Sequence, residues 1–308
     1  MKIAITGATG FVGSRLVEKL REKGHQIVVL TRNTKKAQTI FPPSVYSNVE
    51  LVEYTPQQPG KWQKAISGCD GVVNLAGEPI TERWTPQHKQ EILASRQLGT
   101  RNIVGAIKAA SRKPKVLVNA SAVGYYGASE TATFDENSPP GNDFLAEVCQ
   151  KWEAEAQKVT EVGTRLVIIR IGIVLDKDGG ALAKMIPLFK MFAGGPIGDG
   201  RQWVSWIHRD DLVNLIITAL EREDMAGVFN GTAPNPVTMA QLCKALGEAM
   251  HRPSWLPAPK FALELLLGDG AKVVLEGQKV LPKRTLSIGF TYQYETIEKA
   301  LAEIVAKI

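Results

Sequence analysis

The sequence predicts an α/β chain, a doubly wound parallel sheet followed by a smaller, mainly helical C-terminal lobe. Three observations carry that expectation. Short apolar runs alternate with helical patterns through the first half, as they do when a parallel sheet is covered on both faces. The first run, residues 3–5, enters a glycine-spaced turn, Gly7-x-x-Gly10-x-x-Gly13, which opens a helical pattern over residues 14–22. From Pro234 onward the strand patterns give way to helical ones, over residues 239–250, 259–267 and 296–306.

The remaining elements follow in order. Residues 26–30 read as the second strand and residues 49–53 as the third, with a Pro42-Pro43 loop between them. Gly71-Val-Val-Asn-Leu-Ala-Gly77 is an apolar run that ends in a small-residue turn. A long helix is expected over residues 86–110, a strand over 116–120, a helix over 151–162 and an apolar strand over 166–171. Beyond it, Gly179-Gly180, Gly194-Gly195-Pro196 and Gly198-x-Gly200 punctuate a segment that reads as looping away from the sheet. The chain returns through Trp206-Ile-His-Arg-Asp-Asp211 to a helix over 212–221, with Asp210 and Asp211 as its expected caps, and a last strand over 228–231. This divides the chain into a nucleotide lobe, residues 1–172 plus about 206–232, and a substrate lobe, about 173–205 plus 233–308.

Strand, glycine turn and helix in that order give the turn a chemical meaning, a dinucleotide site of Rossmann-like type. Gly7 permits the tight turn, Gly10 lets backbone approach a pyrophosphate, and Gly13 lets the helix sit against the strand. The pyrophosphate is held by free amides at the positive end of the helix dipole. An NAD-preferring site usually carries a carboxylate at the end of the second strand. This chain has no Asp or Glu between Glu22 and Glu50, and offers Arg32, with Lys35 and Lys36 beyond. A guanidinium suits a 2′-phosphate, so the expected cofactor is NADP(H).

The bulk properties narrow the class. At 308 residues, 44% apolar and 22% charged, the chain has an ordinary globular composition. A net charge of +6 is spread without a basic stripe, which argues against nucleic acid and fits small anionic ligands. Cys69, Cys149 and Cys243 are far apart with no C-x-x-C, so neither a disulfide framework nor a metal site is indicated. No apolar run approaches membrane-spanning length and the first strand begins at once, so a cytoplasmic protein is expected.

With these pieces placed, the chain resembles the extended short-chain dehydrogenase/reductase superfamily. Thr6-Gly-Ala-Thr-Gly-Phe-Val-Gly13 matches its cofactor loop and Asn74-Leu-Ala-Gly77 its Asn-x-Ala-Gly turn. More closely, it resembles the atypical "epimerase-family" proteins of undetermined chemistry. Their signatures correspond to Ser121-Ala-Val-Gly-Tyr-Tyr-Gly127, Trp152-Glu153, Gly179-Gly180, Gly194-Gly-Pro-Ile-Gly198, Leu281-Pro-Lys-Arg284 and Gly289-Phe290. The resemblance implies a cofactor site of Gly7, Thr9, Gly10, Phe11, Val12, Gly13, Arg32, Leu75, Ala76 and Gly77, with Arg96 and Ser121 beside them. It also implies an unidentified small-molecule substrate, and a homodimer through a helix pair of the sheet lobe.

Superfamily catalysis needs a Tyr four residues before a Lys, whose ammonium lowers the phenol pKa. No Tyr-x-x-x-Lys exists in this chain. In the expected window, one register places Phe144 and Val148 at the two positions, and another Glu147 and Lys151. The superfamily's Ser falls at Ala122, beside Ser121, and its helix Asn falls at Arg96. Arg96 reads either as a clamp for an anionic substrate or phosphate, or as a helix-surface arginine. Ser121, Tyr126 and Glu147 are the remaining acid/base candidates, with Tyr125 and His208 behind them. Trp203, Trp206, Met185 and Met191 are candidate walls of a pocket between the lobes, or core. Glu78 stands on a loop without an evident partner. Two functions follow: an NADP(H)-dependent oxidoreductase or epimerase with an atypical active site, or a non-catalytic NADP(H)-binding regulatory or scaffold protein.

Overall fold

The structure, a computed structural model, describes residues 1–308. Its first elements are β1 (Lys2–Thr6), α1 (Phe11–Glu22), β2 (Gln26–Thr31), α2 (Thr34–Ile40), β3 (Val49–Glu53) and β4 (Gly71–Asn74). Then come α3 (Pro86–Ala109), β5 (Val116–Ala122), β6 (Thr133–Phe134), α4 (Phe144–Gln157), β7 (Arg165–Ile171) and β8 (Ile173–Leu175). The chain continues through α5 (Gly180–Lys190), β9 (Trp203–Val204), β10 (Trp206–His208), α6 (Arg209–Glu221), β11 (Gly227–Gly231) and β12 (Val237–Thr238). It ends with α7 (Met239–Met250), α8 (Lys260–Leu267), α9 (Lys272–Leu275), β13 (Lys279–Val280), α10 (Lys283–Ser287) and α11 (Ile297–Val305).

Seven strands form one parallel sheet in the order β11-β7-β5-β4-β1-β2-β3. The chain runs outward from β1 to β3, then back from β4 to β11, so the order reverses between β1 and β4. At such a switch point the loops leave the sheet in opposite directions and open a crevice beyond the carboxyl ends of the strands. The sheet strands are apolar nearly throughout because helices cover both faces. Leu16, Val17 and Leu20 of α1 and Leu212, Val213 and Ile216 of α6 cover one face. Ile103, Val104 and Ile107 of α3, with Ala156 of α4, cover the other. A third apolar cluster, from Leu182 and Phe189 to Leu242, Leu246 and Leu301, lies in the later part of the chain.

Local signals explain most boundaries. Thr85 caps α3 by accepting from the His88 amide, with Pro86 as its first residue. Asp143 caps α4 by accepting from the Ala146 amide at 2.8 Å, so this helix starts seven residues before the expected 151. Residues 180–190, expected to loop, form α5 despite Gly179, Gly180 and the internal Pro187. The expected aspartate caps of α6 are also corrected. His208 is the cap, its Nδ1 accepting from the Asp210 amide at 3.1 Å. Asp210 instead pairs with Arg15 of α1, and Asp211 accepts from the Gln293 and Tyr294 amides.

The C-terminal segment closes the exposed edge of the sheet. Arg284 donates to the Val228 and Ala226 carbonyls of β11 and its approach, and the Thr285 hydroxyl to the Asn230 carbonyl. Phe290 packs on the first apolar cluster. A bare parallel edge would template further strands, and this cover removes it. No helix is long and apolar enough to cross a membrane.

Candidate functional site: a cofactor cradle and an apolar cleft

At the switch point, β1 delivers Gly7 and α1 begins at Phe11. Gly7 has φ +69°, and a Cβ there would lie 2.8 Å from the Leu75 carbonyl carbon. A Cβ on Gly13 would lie 2.2 Å from the Gly7 oxygen. Only glycine permits this turn. Gly10 caps α1 without a side chain, the first turn holds no acidic residue, and the amides of Phe11, Val12 and Gly13 have no partner in the protein. Unpaired donors at a helix N-terminus form an anion seat. Thr9 and Gly10 complete the loop.

The facing turn is held from below. The Thr6 hydroxyl donates to Asn74 Oδ1 at 2.7 Å and accepts from the Leu75 and Ala76 amides. Asn74 Nδ2 reaches Thr100 of α3 and Asn119 of β5. One buried asparagine thus ties three strands and a helix beneath Leu75-Ala76-Gly77. Arg32, at the end of β2, is 74% exposed and lies 3.9 Å from the Glu78 carboxylate. Glu78 therefore has a partner, although the pair is exposed and loose. The Phe11 ring lies against Gly179, where a Cβ would sit 2.5 Å from it, and the Arg209 guanidinium is 5.1 Å from the ring centre. That approach accounts for the Gly179-Gly180 pair.

Along the same edge of the sheet, beyond β5 and β7, lies a cleft of about 390 Å³. Ala122 ends β5, Val123 and Gly124 follow it, Gly172 follows β7, and Asp269, Lys272 and Glu276 come from the C-terminal part. Helix α4 presents the two registers differently. Phe144, Val148 and Trp152, spaced by four, face the cleft together with Cys149. Glu147 and Lys151 do not line the cleft; they are exposed and pair with each other at 2.6 Å. Of the two registers, the one with Phe144 and Val148 faces the cleft, and neither side chain offers a proton. The apolar stripe at 144, 148 and 152 was readable as helical periodicity.

The three acid/base candidates do not meet in the cleft. Glu147 is exposed, paired with Lys151 and outside the cleft lining. Ser121 is 2% exposed and donates to Glu153 at 2.6 Å. Tyr126 is 3% exposed, donates to Asn230 Oδ1 at 2.7 Å and accepts from Arg170 at 3.1 Å. Burial pushes its pKa up to about 12, against the opposing pull of Arg170. Arg170 makes a bidentate pair with Glu153, both bonds at 2.8 Å, and lies over the Tyr125 ring. Ser121, Glu153, Arg170, Tyr126 and Asn230 are one buried network joining β5, α4, β7 and β11. Its members satisfy one another, which is what buried polar groups require.

The remaining candidates divide. Trp203 lines the cleft, with its Nε1 on the Glu130 carbonyl. Trp206 is core, Met185 packs on the third apolar cluster, and Met191 is exposed. His208 is fully buried, with Nε2 3.1 Å from Glu303. It is structural. Cys149 is also buried in the wall, and burial raises its thiol pKa to about 11. Such a thiol is not a nucleophile at neutral pH. Arg96, from α3, lines the cleft with its guanidinium over the Trp152 ring at 5.2 Å. The reading of a helix-surface arginine is thereby corrected, because α3 turns this face inward.

Comparison with known proteins agrees with this geometry. Residues 3–230 match the NAD dependent epimerase/dehydratase family, and residues 258–304 match a domain of unknown function, DUF1731. The chain is 53% identical to the Arabidopsis thaliana "Epimerase family protein SDR39U1 homolog, chloroplastic", over 99% of this chain and 87% of that one. It is 40% identical to Bacillus subtilis epimerase family protein YfhF, over 99% and 98% of the two chains. The crystal structure of human epimerase family protein SDR39U1 (isoform 2), solved with NADPH, superposes with a TM-score of 0.87 at 34% identity, covering 100% of both chains. The overall fold is thus shared with these relatives, and the chain belongs to the NAD dependent epimerase/dehydratase family.

Proposed function

We propose that the chain binds NADP(H) across the switch point and acts as an oxidoreductase or epimerase on a small substrate in the cleft. The observation that carries the reading is the cradle: three unpartnered amides at the start of α1, with Arg32 and no carboxylate at the end of β2. The NADPH in the human relative's structure supports it. The residues fit the group. The amides of Phe11, Val12 and Gly13 would take the pyrophosphate, and Arg32 the 2′-phosphate. Thr9, Gly10 and the Leu75-Ala76-Gly77 turn would flank them. When bound, the nicotinamide supplies hydride transfer. The side chains of Phe144, Val148 and Trp152 would keep water out of the cleft, which strengthens every charge interaction inside it.

A second reading has its own observation. With Phe144 and Val148 in the cleft and Ser121 and Tyr126 sealed below it, no acid/base of the superfamily type faces the substrate space. That favours a non-catalytic NADP(H)-binding role, regulatory or scaffolding. Two experiments separate the readings. Fluorescence titration with NADPH and NADH tests the cofactor assignment, and equal affinities for the two would overturn it. A substrate screen that follows NADPH oxidation tests turnover, and cofactor binding with no turnover on any carbonyl or sugar substrate would favour the second reading.

The division into a nucleotide lobe and a substrate lobe belongs to the same proposal, as does a reducing compartment, first the cytoplasm, for three free buried cysteines. A homodimer through α3 and α4 would have a polar interface, since Arg101–Glu155 and Lys151–Glu147 line those helices. Light scattering checks it, as the monomer mass is 33.6 kDa.

A further inference from the structure

Helix α8 carries its apolar face outward. A surface helix ordinarily turns an apolar stripe to the core and its polar residues to water. In α8 no residue is buried. At about 3.6 residues per turn, Phe261, Ala262, Leu265 and Leu266 share one face. The three large ones are 72%, 77% and 67% exposed. Leu263 and Leu267, on the opposite side, are the half-buried ones. The turn before α8 extends the patch. Trp255 and Leu256 are exposed, the Leu256 amide donates to the Gly194 carbonyl at 3.1 Å, and the Ala258 amide to the Pro196 carbonyl at 2.9 Å. These bonds set the turn beside the end of α5, where Met191 and Phe192 are exposed as well. Phe192 holds φ +61°, a conformation that a bulky residue adopts only at a cost. Eight of the twelve large apolar side chains that the chain exposes fall within residues 188–192 and 255–266, which makes a patch rather than a scatter.

The charge at its border has one sign. Lys184 reaches only the Thr81 hydroxyl at 3.5 Å, Arg252 donates to the His251 carbonyl and lies over the Phe192 ring, and Lys190 has no carboxylate partner. Lys260 shares Glu264 at 3.7 Å, the one carboxylate of these two segments. The flanking carboxylates along the chain, Asp178, Asp199, Glu248 and Asp269, are each paired with another base. An apolar face with an uncompensated positive rim matches a lipid surface on both counts. Aromatic and leucine side chains enter the boundary between headgroups and acyl chains, while Lys and Arg attract anionic headgroups. A second copy of the chain would set the same positive rim against itself. A nucleic acid would leave Leu265 and Leu266 in water.

We infer that this face docks the protein on an anionic lipid surface, with α8 lying along it and Phe261, Leu265 and Leu266 in the headgroup boundary. Helix α8 runs directly into the segment that supplies Asp269, Lys272 and Glu276, so docking brings this wall of the cleft close to the lipid. The inference is independent of the cofactor and its chemistry. The test is co-sedimentation of the full chain with vesicles of phosphatidylglycerol and phosphatidylcholine in equal parts, and with vesicles of phosphatidylcholine alone. Partition onto the anionic vesicles should be at least about tenfold stronger, and raised salt should reverse it. Phe261→Glu combined with Leu265→Glu should weaken it by about tenfold or more without lowering the thermal midpoint, because both side chains are already exposed. Lys184→Glu combined with Lys190→Glu should remove most of the preference for the anionic vesicles. No sedimentation with anionic vesicles, or sedimentation that survives the Phe261 and Leu265 changes, would overturn the docking face. Equal partition onto the two vesicles, or binding indifferent to salt, would overturn the anionic surface, and both are read on the unaltered chain. A light-scattering mass of two chains that falls to one on the Phe261 and Leu265 changes would assign the face to a second copy instead.

Discussion

The two ends of the crevice are built on different physics. At the cradle the groups on offer are backbone: three unpaired amides, a helix dipole and glycines that clear the way. In the cleft they are side chains, drawn from α3, α4, the loops beyond β5 and β7, and the C-terminal segment. A backbone site is specified by a short run of residues, so drift elsewhere leaves it intact. A side-chain site depends on which face each helix turns inward, and its chemistry changes with single substitutions. This chain shows both outcomes together. The cradle has the glycine spacing expected of a dinucleotide site, while the cleft carries Phe144 and Val148, which offer no acid or base.

The contrast can be broken at several points. The largest effect is expected beneath the cleft. Arg170→Met leaves the Glu153 carboxylate buried without its partner, and should cost about 3–5 kcal/mol of stability in urea denaturation. A loss under about 1 kcal/mol would mean that the network is held for chemistry rather than for the fold. Next comes the cradle itself. Gly13→Val places a side chain against the Gly7 oxygen and should weaken NADPH binding by about a hundredfold or more in fluorescence titration. Binding that persists would remove the pyrophosphate from α1.

Arg32→Asp should lower NADPH affinity by about 10- to 100-fold and leave NADH affinity nearly unchanged, since a charge-assisted pair contributes about 1.5–3 kcal/mol. An equal loss for both nucleotides would make Arg32 a general phosphate contact. The pH dependence is smaller. Burial holds the His208 pKa below its usual value, against the pull of Glu303, Asp210 and Asp211, and its Nδ1 must stay unprotonated to cap α6. The folded pKa lies below the unfolded value of about 6.5, so the unfolded chain binds the extra proton first. Stability is therefore full above about pH 6.5 and falls as the pH drops below it toward the folded pKa. His208→Asn keeps a capping oxygen and should flatten the slope of midpoint against pH in that window. An unchanged slope would assign the loss to another group. The smallest effect is expected on the outer face of α4, where Lys151→Ala should change stability by no more than about 0.5 kcal/mol and leave any turnover intact. A loss of turnover would restore Glu147 and Lys151 to the active site.

Much of this was legible in the residues. The order of strands and helices around β1, β4 and β7 followed from apolar runs, because a doubly covered parallel strand is apolar on both sides. Gly7, Gly10 and Gly13 declared a backbone site, because only their absent side chains let α1 approach. The start of α4 was missed because Asp143 lies in a loop rich in cap-forming residues, and α5 because Gly179 and Pro187 imitate a loop. The first exists to receive Phe11, which lies 168 residues earlier in the chain.

By itself, then, the sequence determined what depends on local backbone: the parallel sheet, the glycine cradle and the basic residue at the end of β2. Only the tertiary structure decided what depends on which groups share a space. It sealed Ser121 and Tyr126 into a network with Glu153 and Arg170, and turned Phe144 and Val148 into the cleft and Glu147 out of it. It also left Arg96 facing that cleft with the donors of Nε and Nη2 unpaired. Helix spacing states which residues lie on one face, but the partners that satisfy a buried hydroxyl or guanidinium come from distant strands, and packing alone brings them within hydrogen-bond reach.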